Sequence, residues 1–349
     1  MRQTGDDSNP QRARPIGEFE LIARLTAGLP ARPDVALGPG DDAALLALDP
    51  DSPWLLAATV DAQVEGRHFV RGVATPEDVG HKALAVNLSD LAAIGAEPLW
   101  ALVSLVLPPS YDAAEIERIY AGMRALAERY GVAIAGGNVA AAAGPLVVDV
   151  TALGRVRRGA AVTRAGGHPG DALLVTGTLG AAAAGLLALV LAPQQAELAP
   201  DVLSFVRAAL VAPQPRVAEG RALAAMGGVG AMLDVSDGLA ADLRHLCAAS
   251  GVGALLDAAA IPIAPAARVV AEAYGRDALE LALSGGEDYE LLCAVRAEQV
   301  PAALDAVARA GGMARLIGEL TDTSGELRMR GADGISVPLD LRGWDHLRA

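Results

Sequence analysis

Five groups of carboxylates fall where the apolar pattern of the chain breaks: Asp41 with Asp42, Asp61, Asp90, Asp234 with Asp237, and Glu287 with Asp288. They are far apart in sequence, yet each abuts a strongly apolar segment. Carboxylates gathered without basic partners repel one another and resist ionisation. A hard divalent cation resolves that conflict. Oxygen donors without paired His and Cys point to magnesium or manganese over zinc. The sharpest case is Asp234-Val235-Ser236-Asp237-Gly238, where two carboxylates three residues apart, at a strand end and a helix start, can converge on one metal. Ser236 or Asp237 could equally serve only as a helix cap. Gly136-Gly137 and Gly285-Gly286 read as turns that let backbone approach phosphate, a use that any tight turn shares. No GxxxxGK[ST] loop and no HRD or DFG set occurs, so a nucleotide site would be built from metals and backbone.

Elements that position these groups are legible. Residues 75–94 open like a helix, with Thr75 as cap, Pro76 at the first position and Glu77 and Asp78 at the positive end of the dipole. Gly95 and Pro98 close it. Asp90 sits among Val86, Leu88, Leu91 and Ile94; such a carboxylate is costly unless paired, or else it lies on the helix's wet face. Apolar strands are expected at 54–60, ending on Asp61, at 99–107, at 132–135 running into Gly136-Gly137-Asn138, and at 146–153. Amphipathic spacing predicts a helix over 112–130. The second half reads as strand 172–176, helices 179–191 and 214–226, strand 231–235, helix 238–249 and strand 253–257. Strand 290–295, helix 298–310 and strands near 314–319, 326–330 and 335–339 follow. The fold class is α+β with two domains: a disordered tail over 1–15, an N-terminal domain over 16–154 and a C-terminal domain over 155–349.

Composition narrows the function. The 349 residues carry a formal net charge of -14, which disfavours coating nucleic acid or an anionic membrane. Apolar residues make up 52%, enough for a sizeable core, with Ala replacing scarce aromatics. Lys82 is the only lysine, which reads as compositional bias. Cys247 and Cys293 give no disulfide framework, and a reducing cytoplasm follows. The polar N-terminus lacks the apolar stretch of a signal peptide. Residues 172–192 carry no charge and imitate a membrane span, but Thr176-Gly177-Thr178 and Gly180 break them into a buried strand and a core helix.

Seven ordered segments carry a resemblance: GPGDDAALL (38–46), VDAQVEGRHF (60–69), HKALAVNLSDLAAIGAEP (81–98), AGGN (135–138), LDVSDGLAADL (233–243), SGGEDYEL (284–291) and RGWDHL (342–347). Together, from about Gly17 to Leu347, they resemble the thiamine-monophosphate kinase family. The resemblance implies a two-domain fold shared with aminoimidazole ribonucleotide synthetase and selenophosphate synthetase. It also implies a homodimer through the N-terminal sheets and ATP-dependent conversion of thiamine monophosphate to thiamine diphosphate with several magnesium ions. The implied magnesium ligands are Asp42, Thr59, Asp61, Asp90, Asp234 and Asp237. The implied ATP contacts are Tyr120, Gly137, Asn138, Arg164 and Ser236, and the substrate contacts are His68, Glu287 and Trp344. Arg164 suits phosphate. Trp344 suits stacking on a cationic heterocycle. Glu287 suits a substrate amine or positive ring.

Two departures stand out. Where the family usually has Gly-Gly-Asp and then Thr, this chain has Gly136-Gly137-Asn138-Val139. Asn138 offers a metal one uncharged oxygen. Val60 replaces a Thr, so only its backbone carbonyl can serve as a ligand. Activity is expected to survive, with a higher magnesium requirement. A non-catalytic nucleotide-binding protein and a sister enzyme of the same fold are the competing readings.

Overall fold

The computed structural model describes residues 18–109, 112–194 and 196–339. After helix α1 (Glu18–Thr26), the first half builds a sheet from β1 (Val35–Leu37), β2 (Ala44–Leu46), β3 (Trp54–Val64), β4 (Glu97–Leu107), β5 (Ala133–Ala141) and β6 (Val147–Arg157). Their order is β1-β2-β3-β6-β4-β5. Only β4 and β5 pair in parallel, and helix α3 (Ala113–Tyr130) makes the crossover such a pair requires. Alternation puts Ala57, Val103, Leu105, Val148, Val150 and Ala152 on one buried face. The opposite face leaves Val60, Trp100 and Leu102 exposed.

Helix α2 (Pro76–Ala93) lies on the buried face and organises the molecule. The Thr75 hydroxyl accepts a hydrogen bond from the Asp78 N–H, and the Asp78 carboxylate accepts one from the Thr75 N–H, with Pro76 at the first position. Helix α2 is buried nearly all round, from Val79 to Ala93, and so lacks a polar stripe. It packs on β3 and β6 on one side and on elements of the second half on the other. A Cβ on Gly220 would lie 2.1 Å from the Ala92 carbonyl oxygen, so glycine there lets the second half dock on the α2 backbone two residues from Asp90. Thr75→Ala should cost about 1 kcal/mol in urea unfolding, the usual worth of a helix cap.

The second half builds a sheet in the order β13-β12-β9-β11-β7-β10-β8. Its strands are β7 (Ala172–Thr176), β8 (Val229–Asp234), β9 (Gly253–Asp257), β10 (Leu291–Val295), β11 (Ala314–Thr321), β12 (Leu327–Arg330) and β13 (Ser336–Pro338). Helices α4 (Ala181–Leu186), α5 (Pro200–Val211), α6 (Val217–Met226), α7 (Leu239–Ser250), α8 (Pro265–Ala273), α9 (Ala278–Ser284) and α10 (Val300–Arg309) complete it. The uncharged run 172–192 divides into β7, α4 and a π-helical turn, and among the described residues no helix is long and apolar enough to cross a membrane.

Three sequence readings change. Strand β3 runs through Asp61 to Val64, so Asp61 is inside the strand. Gly136-Gly137 is no turn: both residues lie in β5, and a Cβ on Gly137 would sit 1.8 Å from the Val103 carbonyl oxygen, so glycine serves the close pairing of β5 with β4. Helices α5, α8 and α9 were not anticipated. Pro200 and Pro265 occupy first-turn positions, where proline is compatible with helix, and neither α5 nor α8 has a side-chain cap to announce it.

Candidate functional site

Three carboxylates converge from separate elements: Asp42 from the loop before β2, Asp90 from the last turn of α2, and Asp234 from the end of β8. Each offers an oxygen within 4.8 Å of the other two. The site therefore joins the two halves. Neighbouring hydroxyls fix it. Thr59 of β3 donates to Asp90 Oδ2 at 2.5 Å, and Ser89 donates to Asp234 Oδ2 at 2.5 Å. Asp41 accepts the backbone N–H groups of Asp42 and Arg164, both at 3.0 Å.

The expectation of acids without a basic partner needs correction. The Arg164 guanidinium donates to Asp42 Oδ1 through Nε, at 3.2 Å, and through Nη2. One cation does not balance the set. Asp42 Oδ2 is buried with no hydrogen-bond partner, which is costly unless a further cation takes it. Burial lifts Asp42 to about 7 and Asp61 to about 6; on Asp61 the charges of Asp149, Asp237 and Asp42 add to the effect. Asp234 rises to about 6 through burial, against the Ser89 hydrogen bond. Burial and the charges of Asp61, Asp234 and Asp42 carry Asp90 well above its ordinary value. Buried oxygens, one orphaned, with no His or Cys among them fit a hard divalent cation such as magnesium.

The sign of the pH dependence follows. Carboxylates whose folded pKa values are raised bind more protons folded than unfolded. Their contribution to the metal-free protein's stability falls as pH rises from about 4 through the folded values of about 6 to 7. The rise in Tm on adding magnesium should therefore be larger at pH 7.5 than at pH 5.5. Scanning calorimetry with chelator and with metal checks this, and an equal shift at both pH values would contradict it.

Strand alternation separates other predicted ligands. Thr59 and Asp61 pair with Ala152 and Val150 and share the buried face. Val60 points to the opposite face at 58% exposure, which leaves only its carbonyl as a donor. Asn138 pairs with Ser104, and Ser104 with Asp149, in a row on that second face; all three line a cavity of about 360 Å³ with Thr151 and Gly137. The structure thus places Asn138 away from the Asp42–Asp90–Asp234 group. Tyr120 is half-buried in α3 and packs on the first half's core. Where α3 crosses α2 the Ile119 carbonyl faces Gly80, ten residues or about 15 Å along the helix from Asp90. Trp344 lies outside the described residues.

The 284–291 segment holds its acids for other tasks. Glu287 ion-pairs with Lys82 at 2.7 Å. Asp288 accepts the Gly180 N–H at 2.8 Å at the start of α4. Glu290 takes two hydrogen bonds from Arg216, at 2.6 and 2.5 Å, and one from Thr176 at 2.7 Å. Glu287 and Tyr289 adopt φ of 58° and 50°, a strained region for side chains larger than glycine. Backbone bonds hold the segment against the turn that follows β8: the Glu287 N–H donates to the Ser236 carbonyl and the Tyr289 N–H to the Val235 carbonyl. His68 Nδ1 accepts the Val64 N–H at 3.0 Å. Asp237 lies close enough to the carboxylate cluster for its charge to lift both Asp61 and Asp234.

Asp242 and Asp149 were missed. Asp242 is buried in the first turn of α7 and accepts the Asp237 N–H at 3.1 Å. Its signal was a lone acid in the apolar run Leu239-Ala240-Ala241-Asp242-Leu243, the pattern that marked Asp90. Asp149 was legible as a charge inside an alternating strand.

Two sheets joined across an acidic cluster define a class, and comparison with known proteins agrees. Residues 40–156 match the AIR synthase related protein N-terminal domain, and residues 168–330 match the corresponding C-terminal domain. Thiamine-monophosphate kinase of Escherichia coli O157:H7 is 42% identical over 95% of this chain and 98% of its own length. A solved structure described as AaThiL complexed with AMPPCP and TMP superposes with a TM-score of 0.80 at 32% identity, covering 95% of this chain and 97% of that one. The crystal structure of thiamine-monophosphate kinase from Stenotrophomonas maltophilia K279a gives 0.73 at 40% identity, covering 92% and 98%. The chain belongs to the thiamine-monophosphate kinase family.

Proposed function

We propose that this protein transfers the terminal phosphoryl group of ATP to thiamine monophosphate, giving thiamine diphosphate and ADP. The observation that carries the reading is the convergence of Asp42, Asp90 and Asp234, one of them with an orphaned buried oxygen, in a chain whose relatives are kinases of that name. The bond from the γ-phosphorus to the β–γ bridging oxygen breaks, and a bond forms from an oxygen of the acceptor monophosphate. That oxygen is largely ionised at neutral pH, so no strong general base is required. Asp42, Asp90 and Asp234, with Thr59, Asp61, Asp237 and the Val60 carbonyl beside them, would hold magnesium, which would supply charge neutralisation where two anions must meet. Arg164 adds a fixed positive charge at the same place, and Ser236 and Gly137-Asn138 belong to the nucleotide side.

Transfer is direct. Incubation with γ-labelled ATP should label thiamine diphosphate only when thiamine monophosphate is present. Label retained on the protein after ATP alone would overturn direct transfer.

The apolar second face of the first sheet, with Val60, Trp100, Leu102 and Val139 exposed, supports a homodimer formed through that sheet. Strand β6 stays paired with β3 as far as Arg157, so we set the domain break within 158–171, a few residues beyond the sequence estimate. Two buried free cysteines accord with a reducing cytoplasm.

A further inference from the structure

The only lysine in the chain is buried. Lys82, 2% exposed, sits in α2 with Nζ 2.7 Å from Glu287 Oε1 and 2.9 Å from the His68 carbonyl oxygen. The Glu287 side chain is 27% exposed, so the ammonium approaches from the interior while the carboxylate is partly open to solvent. Among the described residues no donor takes its second oxygen, Oε2. The backbone beneath is fixed as well: Glu287 holds φ at 58° and donates its N–H to Ser236, two residues from Asp234. One ammonium thus ties together the His68 turn of the first half and the Glu287 turn of the second, beside the carboxylates that join those halves.

The ion pair changes what Glu287 can recognise. A lone carboxylate would attract a positive ring by charge alone. With Lys82 at 2.7 Å, the pair presents little net charge outward, and the selective interaction left is a directional hydrogen bond to Oε2. We propose that Lys82 is a positioning residue that holds Glu287 as an oriented hydrogen-bond acceptor for the amino group of the substrate's pyrimidine, rather than as a counter-ion for its thiazolium ring. The inference rests on the thiamine-monophosphate reading above.

The test compares thiamine monophosphate with its analogue in which oxygen replaces the pyrimidine amino group; both carry the same thiazolium charge. With the wild-type protein, kcat/KM should fall by at least about 100-fold for the analogue, because a site built to accept an N–H rejects a substrate lacking it. Lys82→Met should raise KM for thiamine monophosphate at least tenfold, leave KM for ATP within threefold, and narrow the preference between the two substrates. Equal use of both substrates by the wild-type protein overturns the inference and leaves the kinase reading standing. A parallel loss of affinity for ATP and thiamine monophosphate in Lys82→Met shows a merely structural role and also overturns it. Turnover of neither substrate by the wild-type protein overturns the kinase reading itself.

Discussion

Asp90→Asn should lower turnover of thiamine monophosphate by about 10²- to 10³-fold and at the same time stabilise the metal-free protein. The two effects have one cause. Asp90 is pressed by burial and by the charges of Asp61, Asp234 and Asp42, charges that a bound cation would neutralise. Removing one negative charge relieves the repulsion, while Thr59 can still donate to the remaining amide oxygen. A gain of a few degrees in the metal-free Tm is the expected scale for about 1 kcal/mol in a chain of this size. The rise in Tm on adding magnesium should shrink in the same variant. Differential scanning calorimetry with and without chelator, beside steady-state kinetics, checks both signs. A variant that loses activity and also loses metal-free stability would mean that Asp90 is chiefly structural.

Arg216→Met should destabilise the protein by about 3–5 kcal/mol, the usual result of leaving one member of a buried ion pair alone. Arg216 grips Glu290 with two hydrogen bonds, and the Glu290 side chain is 5% exposed. The pair ties the start of α6, which docks on α2, to the entry of β10. Arg216→Met combined with Glu290→Gln should recover much of the loss, since the amide needs no counter-charge and Thr176 still donates to it. Urea unfolding of both variants measures this. A single-variant cost below about 1 kcal/mol would place the pair among weak surface contacts.

What the sequence disclosed depended on range. Thr75, Pro76 and Asp78 act within four residues, so the start of α2 was legible. Asp90 and Asp234 betrayed themselves by standing in apolar surroundings. Lys82 and Glu287 are 205 positions apart, and nothing local in either segment marks the pairing. The lone lysine therefore read as compositional bias. Arg164 looked like a loop charge until the fold placed it against Asp42. For Asn138 the difficulty was a face, not a distance: the reading of Gly136-Gly137 as a turn hid the strand whose alternation carries Asn138 toward Ser104 and Asp149 and away from Asp90. Glu287 and Asp288 resembled metal ligands because sequence shows charge without showing that Lys82 and the start of α4 engage it.

The most direct test of the account is thiamine diphosphate formation from thiamine monophosphate and ATP across a magnesium titration, with unphosphorylated thiamine as the control acceptor. The account predicts product from the monophosphate alone and none without a divalent cation. Failure to form thiamine diphosphate at any magnesium concentration, with ATP still bound, would contradict it.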